Sequence, residues 1–258
     1  MNQYPQPVTI CLTYFRSLTL ANLEAALYSV SQQDLQFVDR LIVVDNNTED
    51  PLEDIEKAID GCNLELPVKL ISCKHGDPQR THSWSANRAI AEVETPWVLF
   101  TRADYLLDFS LVHHFVSFAR QRPDTWNGFI TSNVYHLHVP IAECEKTNWR
   151  SNVAELLQLS GVQEDYAAID SGVWMARKRT VLQAGGFDER LSAWGHAQTL
   201  FQHNVAAIGT EFIVIPSPLF YHPAHGGEKD ITRAHAELVA AGYNIKTLWA
   251  RHTGAQPY

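Results

Sequence analysis

The strongest constraint in this sequence is an alternation in its first hundred residues. Short, largely apolar runs with β-branched residues, at 8–12, 41–44, 68–71 and 97–100, are separated by stretches that read as helices. Continuous apolar runs of that length read as strands buried on both faces. Leu20, Leu23, Leu27 and Val30 fall on one helical face. Residues 51–59, with Pro51 near the first turn, and residues 83–93 read as two further helices. Strands alternating with helices predict a mainly parallel open sheet with helices on both faces. Ligands of such sheets sit beyond the carboxyl ends of the strands. Polar clusters at residues 13–17, 45–48 and 101–104 each follow one of the apolar runs. The pattern therefore aims three polar clusters at one edge.

The second half is more mixed. Residues 111–119, 180–184, 197–207 and 232–241 read as helices, and 128–132, 173–176 and 211–215 as strands. Gly185-Gly186 and Gly209 supply helix stops. Hydrophobic residues make up 45% of the 258 and charged residues 19%, enough apolar material for one packed domain and too little charge for disorder. The net charge of −9 repels a polyphosphate backbone and gives no attraction to anionic membranes. Nucleic acid is excluded as a general partner, and an anionic ligand must be met by a local cluster of donors. Cys11, Cys62, Cys73 and Cys144 form no Cys-x-x-Cys pair and read as reduced thiols. The N-terminal residues lack a basic region followed by an apolar one, and no run approaches a membrane span. A cytoplasmic protein is expected, with peripheral association at the inner membrane left open.

Several motifs, in order, resemble the family 2 glycosyltransferases. Val44-Asp45-Asn46-Asn47-Thr48 is similar to the family's second-strand motif, and Ser85-Ala86-Asn87-Arg88 to its third-strand helix start. Thr101-Arg102-Ala103-Asp104 stands where the family carries Asp-x-Asp. Gly185-Gly186-Phe187-Asp188-Glu189 with Trp194-Gly195-His196 resembles the acceptor-side motif, also found in galactosyltransferase C-terminal regions. Tyr221-His222-Pro223 is similar to the late histidine of those enzymes. The resemblance runs over roughly residues 8–225. It implies a glycosyltransferase A type α/β fold as a single domain over residues 1–258. Its nucleotide-sugar-binding half would run to about residue 105, and its acceptor-binding half over about 106–258. It further implies a nucleotide-diphosphate sugar as donor, a glycan, lipid or small-molecule acceptor, a role in polysaccharide biosynthesis, and commonly Mn2+ or Mg2+.

On this resemblance, Thr13, Arg16, Asp45, Asn87, Arg102 and Asp104 are assigned to the donor, and Trp194 and Gly195 to the acceptor. Asp45 can accept hydrogen bonds from a base or ribose, or it can cap the turn that follows, with Asn46 and Asn47 as turn formers. Arg16 fits the pocket or the open surface equally. Asp104 is the retained half of Asp-x-Asp, where a carboxylate would hold a hard cation. His222 would complete the metal site with it; His222 and His225, flanking Pro223-Ala224, also read as ordinary surface histidines. Arg102 replaces the first aspartate. A guanidinium there can pair with phosphate oxygens and would repel an ion, so weak or absent metal dependence is expected, unless Arg102 faces solvent or pairs with Asp104.

The catalytic slot departs most. The family places Glu-Asp after the tryptophan motif, to take a proton from the acceptor. Here Gln198 falls in that place, and an amide cannot accept the proton. His196 and Asp170 are the candidate substitutes, each also readable as structural. Two functions stay open: an active glycosyltransferase, and a degenerate nucleotide-sugar-binding or partner-binding relative.

Overall fold

The computed structural model describes residues 7–15, 17–46, 48–72, 82–164, 172–191, 197–225 and 231–243. Four parallel strands form one half of a nine-stranded sheet: β1 (Val8–Phe15), β2 (Val38–Asn46), β3 (Val68–Ser72) and β4 (Trp97–Arg102), in the order β3-β2-β1-β4. They are joined through α1 (Leu20–Ser31), α2 (Leu52–Gly61) and α3 (His82–Ala91).

Alternate residues of these strands enter two separate cores. Ile10, Leu12, Leu41, Val43 and Leu99 face one, with Leu23 and Leu27 of α1 and Ile55 of α2. Cys11, Ile42, Val44, Val98 and Phe100 face the other, with Ala86, Ala89 and Ile90 of α3. This is why the runs of β1, β2 and β4 are almost wholly apolar: both faces of these strands are covered, whereas the edge strand β3 carries the exposed Lys69.

The second half adds β5 (Leu106–Leu107), α4 (Leu111–Arg120), β6 (Gly128–Pro140), α5 (Ile141–Cys144), β7 (Gly161–Glu164) and β8 (Trp174–Arg177). It continues with α6 (Lys178–Gln183), α7 (Ala197–Ala207), β9 (Glu211–Ala224) and α8 (Ile231–Ala240). The sheet proceeds β4-β8-β6-β9-β5, with β7 on β6. β8 is antiparallel to both β4 and β6, while β6 and β9 run parallel. Among the described residues no helix is long and apolar enough to cross a membrane.

Two strands run well beyond the apolar windows that announce them. The sequence suggests strands at 128–132 and 211–215, but β6 reaches Pro140 and β9 reaches Ala224. Pro216 and Pro218 read as strand breakers. The sheet accommodates them with a register shift between Ser132 and Val134, where Ser132 Oγ lies against the carbonyls of Ile215 and Pro218. The extensions matter because they carry His136 and His222.

Candidate active site

The register puts the polar clusters on one edge. Thr13 pairs with Arg102, Tyr14 with Asp45, and Asp45 with Ser72. Since β1, β2, β3 and β4 are parallel, these positions all lie at the carboxyl ends. β2 and β4 flank β1, so Asp45 and Arg102 stand about 10 Å apart across the edge.

At β2, Asp45 is fully buried. Its Oδ1 accepts from the Thr48 amide at 3.2 Å and hydroxyl at 2.6 Å, and its Oδ2 from Ser72 Oγ at 3.0 Å. The turn-capping task is therefore present. Beside it, the buried Thr13 Oγ1 and Asn46 Oδ1 have no hydrogen-bond partner among the described residues. Buried polar atoms are rarely left so, and both stand at the ligand edge of the sheet. From sequence, Asn46 reads only as a turn former.

At β4, the expected strand-end charges form a buried pair. Arg102 Nε donates to Asp104 Oδ1 at 3.0 Å and Nη2 to Oδ2 at 2.8 Å; Nη2 also donates to Tyr105 Oη at 2.7 Å. Arg102 is 4% exposed, so the solvent-facing alternative does not hold, while the pairing alternative does.

The turn after β4 meets the far end of β9. Asp104 Oδ2 lies 3.3 Å from His222 Nε2 and 3.2 Å from His225 Nε2, and the two imidazole nitrogens are 3.3 Å apart. Ligand atoms bound about 2.0–2.2 Å from one ion lie about 3.0–3.5 Å from each other. The triangle thus fits one face of a divalent coordination shell. One carboxylate and two imidazoles suit a divalent transition ion better than Mg2+ or Ca2+, which favour oxygen-only sites. His225 completes a ligand set for which only Asp104 and His222 had been named.

The electrostatics agree with this geometry. Burial pushes the Asp104 carboxyl up, but the Arg102 charge and the histidine hydrogen bonds overcome it and hold it well below the usual carboxylate range. Burial lowers His222, against the pull of Asp104, so it favours the neutral ring that a metal needs.

The other assigned residues divide. Asn87 is committed to the acceptor-side motif: Nδ2 donates to Phe187 O at 2.9 Å and Glu189 Oε1 at 2.8 Å, and Oδ1 accepts from the Phe187 amide at 2.9 Å. Its amide thus holds a turn instead of standing open to a donor. Gln198 is 5% exposed on the first turn of α7, with Nε2 3.5 Å from His82 Nε2. His82, which sequence reasoning missed, lies edge-on to Phe100 and Phe187. Burial, then the Arg102 charge, lower its pKa to about 3 against the pull of Asp104. His82 lies close enough to the Arg102–Asp104 pair to feel both charges. Arg16, Asp170, Trp194, Gly195 and His196 lie outside the described residues.

A parallel sheet with a polar carboxyl edge, two buried oxygens without a partner among the described residues and a carboxylate–imidazole triangle define an open α/β fold with a metal-capable site. The chain belongs to glycosyl transferase family 2, whose model matches residues 9–152, more than half of its length. Its fold is that of solved glycosyltransferases. Mannosyltransferase PcManGT from Pyrobaculum calidifontis, solved with GDP-Man and Mn2+, superposes with a TM-score of 0.61 at 15% identity over 99% of this chain and 66% of that one. S. aureus TarS 1-349 in complex with UDP-GlcNAc gives 0.64 at 13% identity over 86% of this chain and 60% of that one. The chain therefore spans less than two thirds of the length of either. No curated protein sequence matches it.

Proposed function

We propose that the chain is a glycosyltransferase, moving a sugar from a nucleoside-diphosphate sugar to a glycan, lipid or small-molecule acceptor, and that it works in the cytoplasm in polysaccharide assembly. The observation that carries the reading is the Asp104–His222–His225 triangle at the carboxyl edge of the parallel sheet. Thr13 and Asn46 offer buried acceptors for the nucleoside, whose base and ribose supply donors. Asp45 holds the turn beside them.

Asp104, His222 and His225 would hold a divalent ion, which when bound screens the charge that grows on the diphosphate as the sugar–phosphate bond breaks. The expectation of weak metal dependence rested on a free guanidinium repelling the ion. Arg102 is instead neutralised by Asp104 within hydrogen-bond distance, and the pair carries no net charge. The guanidinium charge is offset rather than removed, but Asp104, His222 and His225 still offer an ion three ligand atoms, so donor binding is expected to depend on metal. Arg102 keeps Asp104 ionised and oriented.

A second reading rests on Gln198. With an amide in the base slot, the same site would bind a donor without transferring its sugar. Calorimetry with UDP- and GDP-sugars, in Mn2+ and in EDTA, followed by a donor-hydrolysis assay, separates the readings. Binding that needs Mn2+ and is followed by sugar release supports the enzyme. Binding without turnover supports the second reading. If no nucleotide sugar binds under either condition, both are lost.

A further inference from the structure

His222 presents Nε2 to Asp104 and His225, so its Nδ1 points away from the triangle. That Nδ1 lies 3.1 Å from Nδ1 of His136. His136 is the register partner of His222 where β6 and β9 run side by side, and the two rings meet edge to face with centroids 5.2 Å apart. The Tyr105 ring, 4.8 Å from that of His222, packs against it as well. The His222 ring is thus held at both nitrogens and against Tyr105.

A neutral imidazole carries one proton, and the partner of one nitrogen decides whether the other donates or accepts. Without an ion, His222 Nε2 faces a carboxylate oxygen at 3.3 Å, so Nε2 is the donor and Nδ1 accepts from His136. To ligate a cation, Nε2 must offer its lone pair, which requires the proton on Nδ1 and an acceptor at His136. We propose that His136 is a positioning residue of the metal site, exchanging donor for acceptor at Nδ1 and thereby setting which nitrogen of His222 is bare. The proton on His136 Nδ1 crosses to His222 Nδ1, that on His222 Nε2 leaves to solvent, and His136 Nε2 takes one up from solvent. Each ring stays neutral throughout. The inference rests on reading Asp104, His222 and His225 as a metal site.

Replacement chemistry distinguishes this role from simple packing. Asparagine at 136 can either donate or accept, lysine can only donate, and phenylalanine can do neither. The probe is Mn2+ itself, titrated into the whole chain and followed by the electron paramagnetic resonance signal of the free ion. His136→Phe and His136→Lys are expected to weaken Mn2+ binding about 10–100-fold, the usual effect of losing such an outer partner. His136→Asn is expected to stay within a few-fold of the parent. Melting curves without Mn2+ serve as the control for folding; should His136→Phe not fold, the Asn and Lys variants decide. Parent-like affinity in the Phe or Lys variant, or an Asn variant as weak as Lys, overturns the role of His136 and leaves the metal site standing. A parent protein that does not bind Mn2+ overturns the site and this inference with it.

Discussion

Arg102 is 4% exposed and the carboxylate it grips is 1% exposed. Taking two charges out of water is costly, and only their mutual hydrogen bonds and Coulomb attraction offset it. Removing one member leaves the other buried without its partner. Arg102→Ala is therefore expected to lower the unfolding free energy by about 3 kcal/mol, the low end for a broken buried pair, because His222 and His225 still face Asp104. Urea unfolding of Arg102→Ala and of the Arg102→Ala/Asp104→Asn double variant measures it, and the double variant should regain part of the loss. A single variant as stable as the parent would mean that the pair contributes nothing. His82 supplies a second, pH-dependent term. Its folded pKa is lowered to about 3 from 6.5, so between those values the unfolded chain binds the extra proton and stability rises with pH. Acidification from pH 7 to 4 should thus destabilise the parent more than His82→Gln. Melting temperatures across that range test the sign, and parallel curves would show that His82 is not held neutral.

At the scale of elements, the join between α3 and the turn after α6 ties the two halves together. Gly186 adopts φ +66°, and a Cβ there would come within 2.8 Å of Asn87 Oδ1. The glycine thus serves both the left-handed turn and the close approach of the amide that clamps it. Asn87→Ala would leave the Phe187 amide and carbonyl without that partner, at about 1–3 kcal/mol. Nucleotide affinity of the folded Asn87→Ala variant should match the parent; a selective loss of affinity without a loss of stability would return Asn87 to the donor site. This join also shows where sequence reading stops. The parallel strands were legible because runs such as Ile10 to Leu12 and Leu41 to Val44 are apolar at every position, a pattern that only a doubly covered strand needs. Asp104 was legible as the end of such a strand. His222 was named only through the family resemblance, and His136 not at all, because the reach of β9 past Pro216 and Pro218 depends on a register shift against β6, which no local pattern encodes. His136, His222 and His225 are brought to Asp104 by that pairing. His82 and Gln198 meet across 116 residues for the same kind of reason.

For the whole molecule, a donor and an ion that meet at the triangle must be coupled: whatever factor Mn2+ contributes to nucleotide affinity, the nucleotide must return to Mn2+. A thermal-shift series should therefore show UDP or GDP together with Mn2+ raising the melting temperature by more than the separate increments combined. Additive shifts would separate the nucleotide pocket from the triangle. The placement of β8 has a different kind of consequence. It covers the outer side of β4, with Phe100 opposite Trp174 and their rings stacked at 5.2 Å. Residues 1–105 contain all four parallel strands and much of the polar edge, and look like a detachable module. Cut there, the chain would end with β4 as a bare apolar margin, its row of amides and carbonyls open to any passing strand. Such a fragment should precipitate on expression, because the strand that seals it, Trp174–Arg177, is made far downstream of the cut.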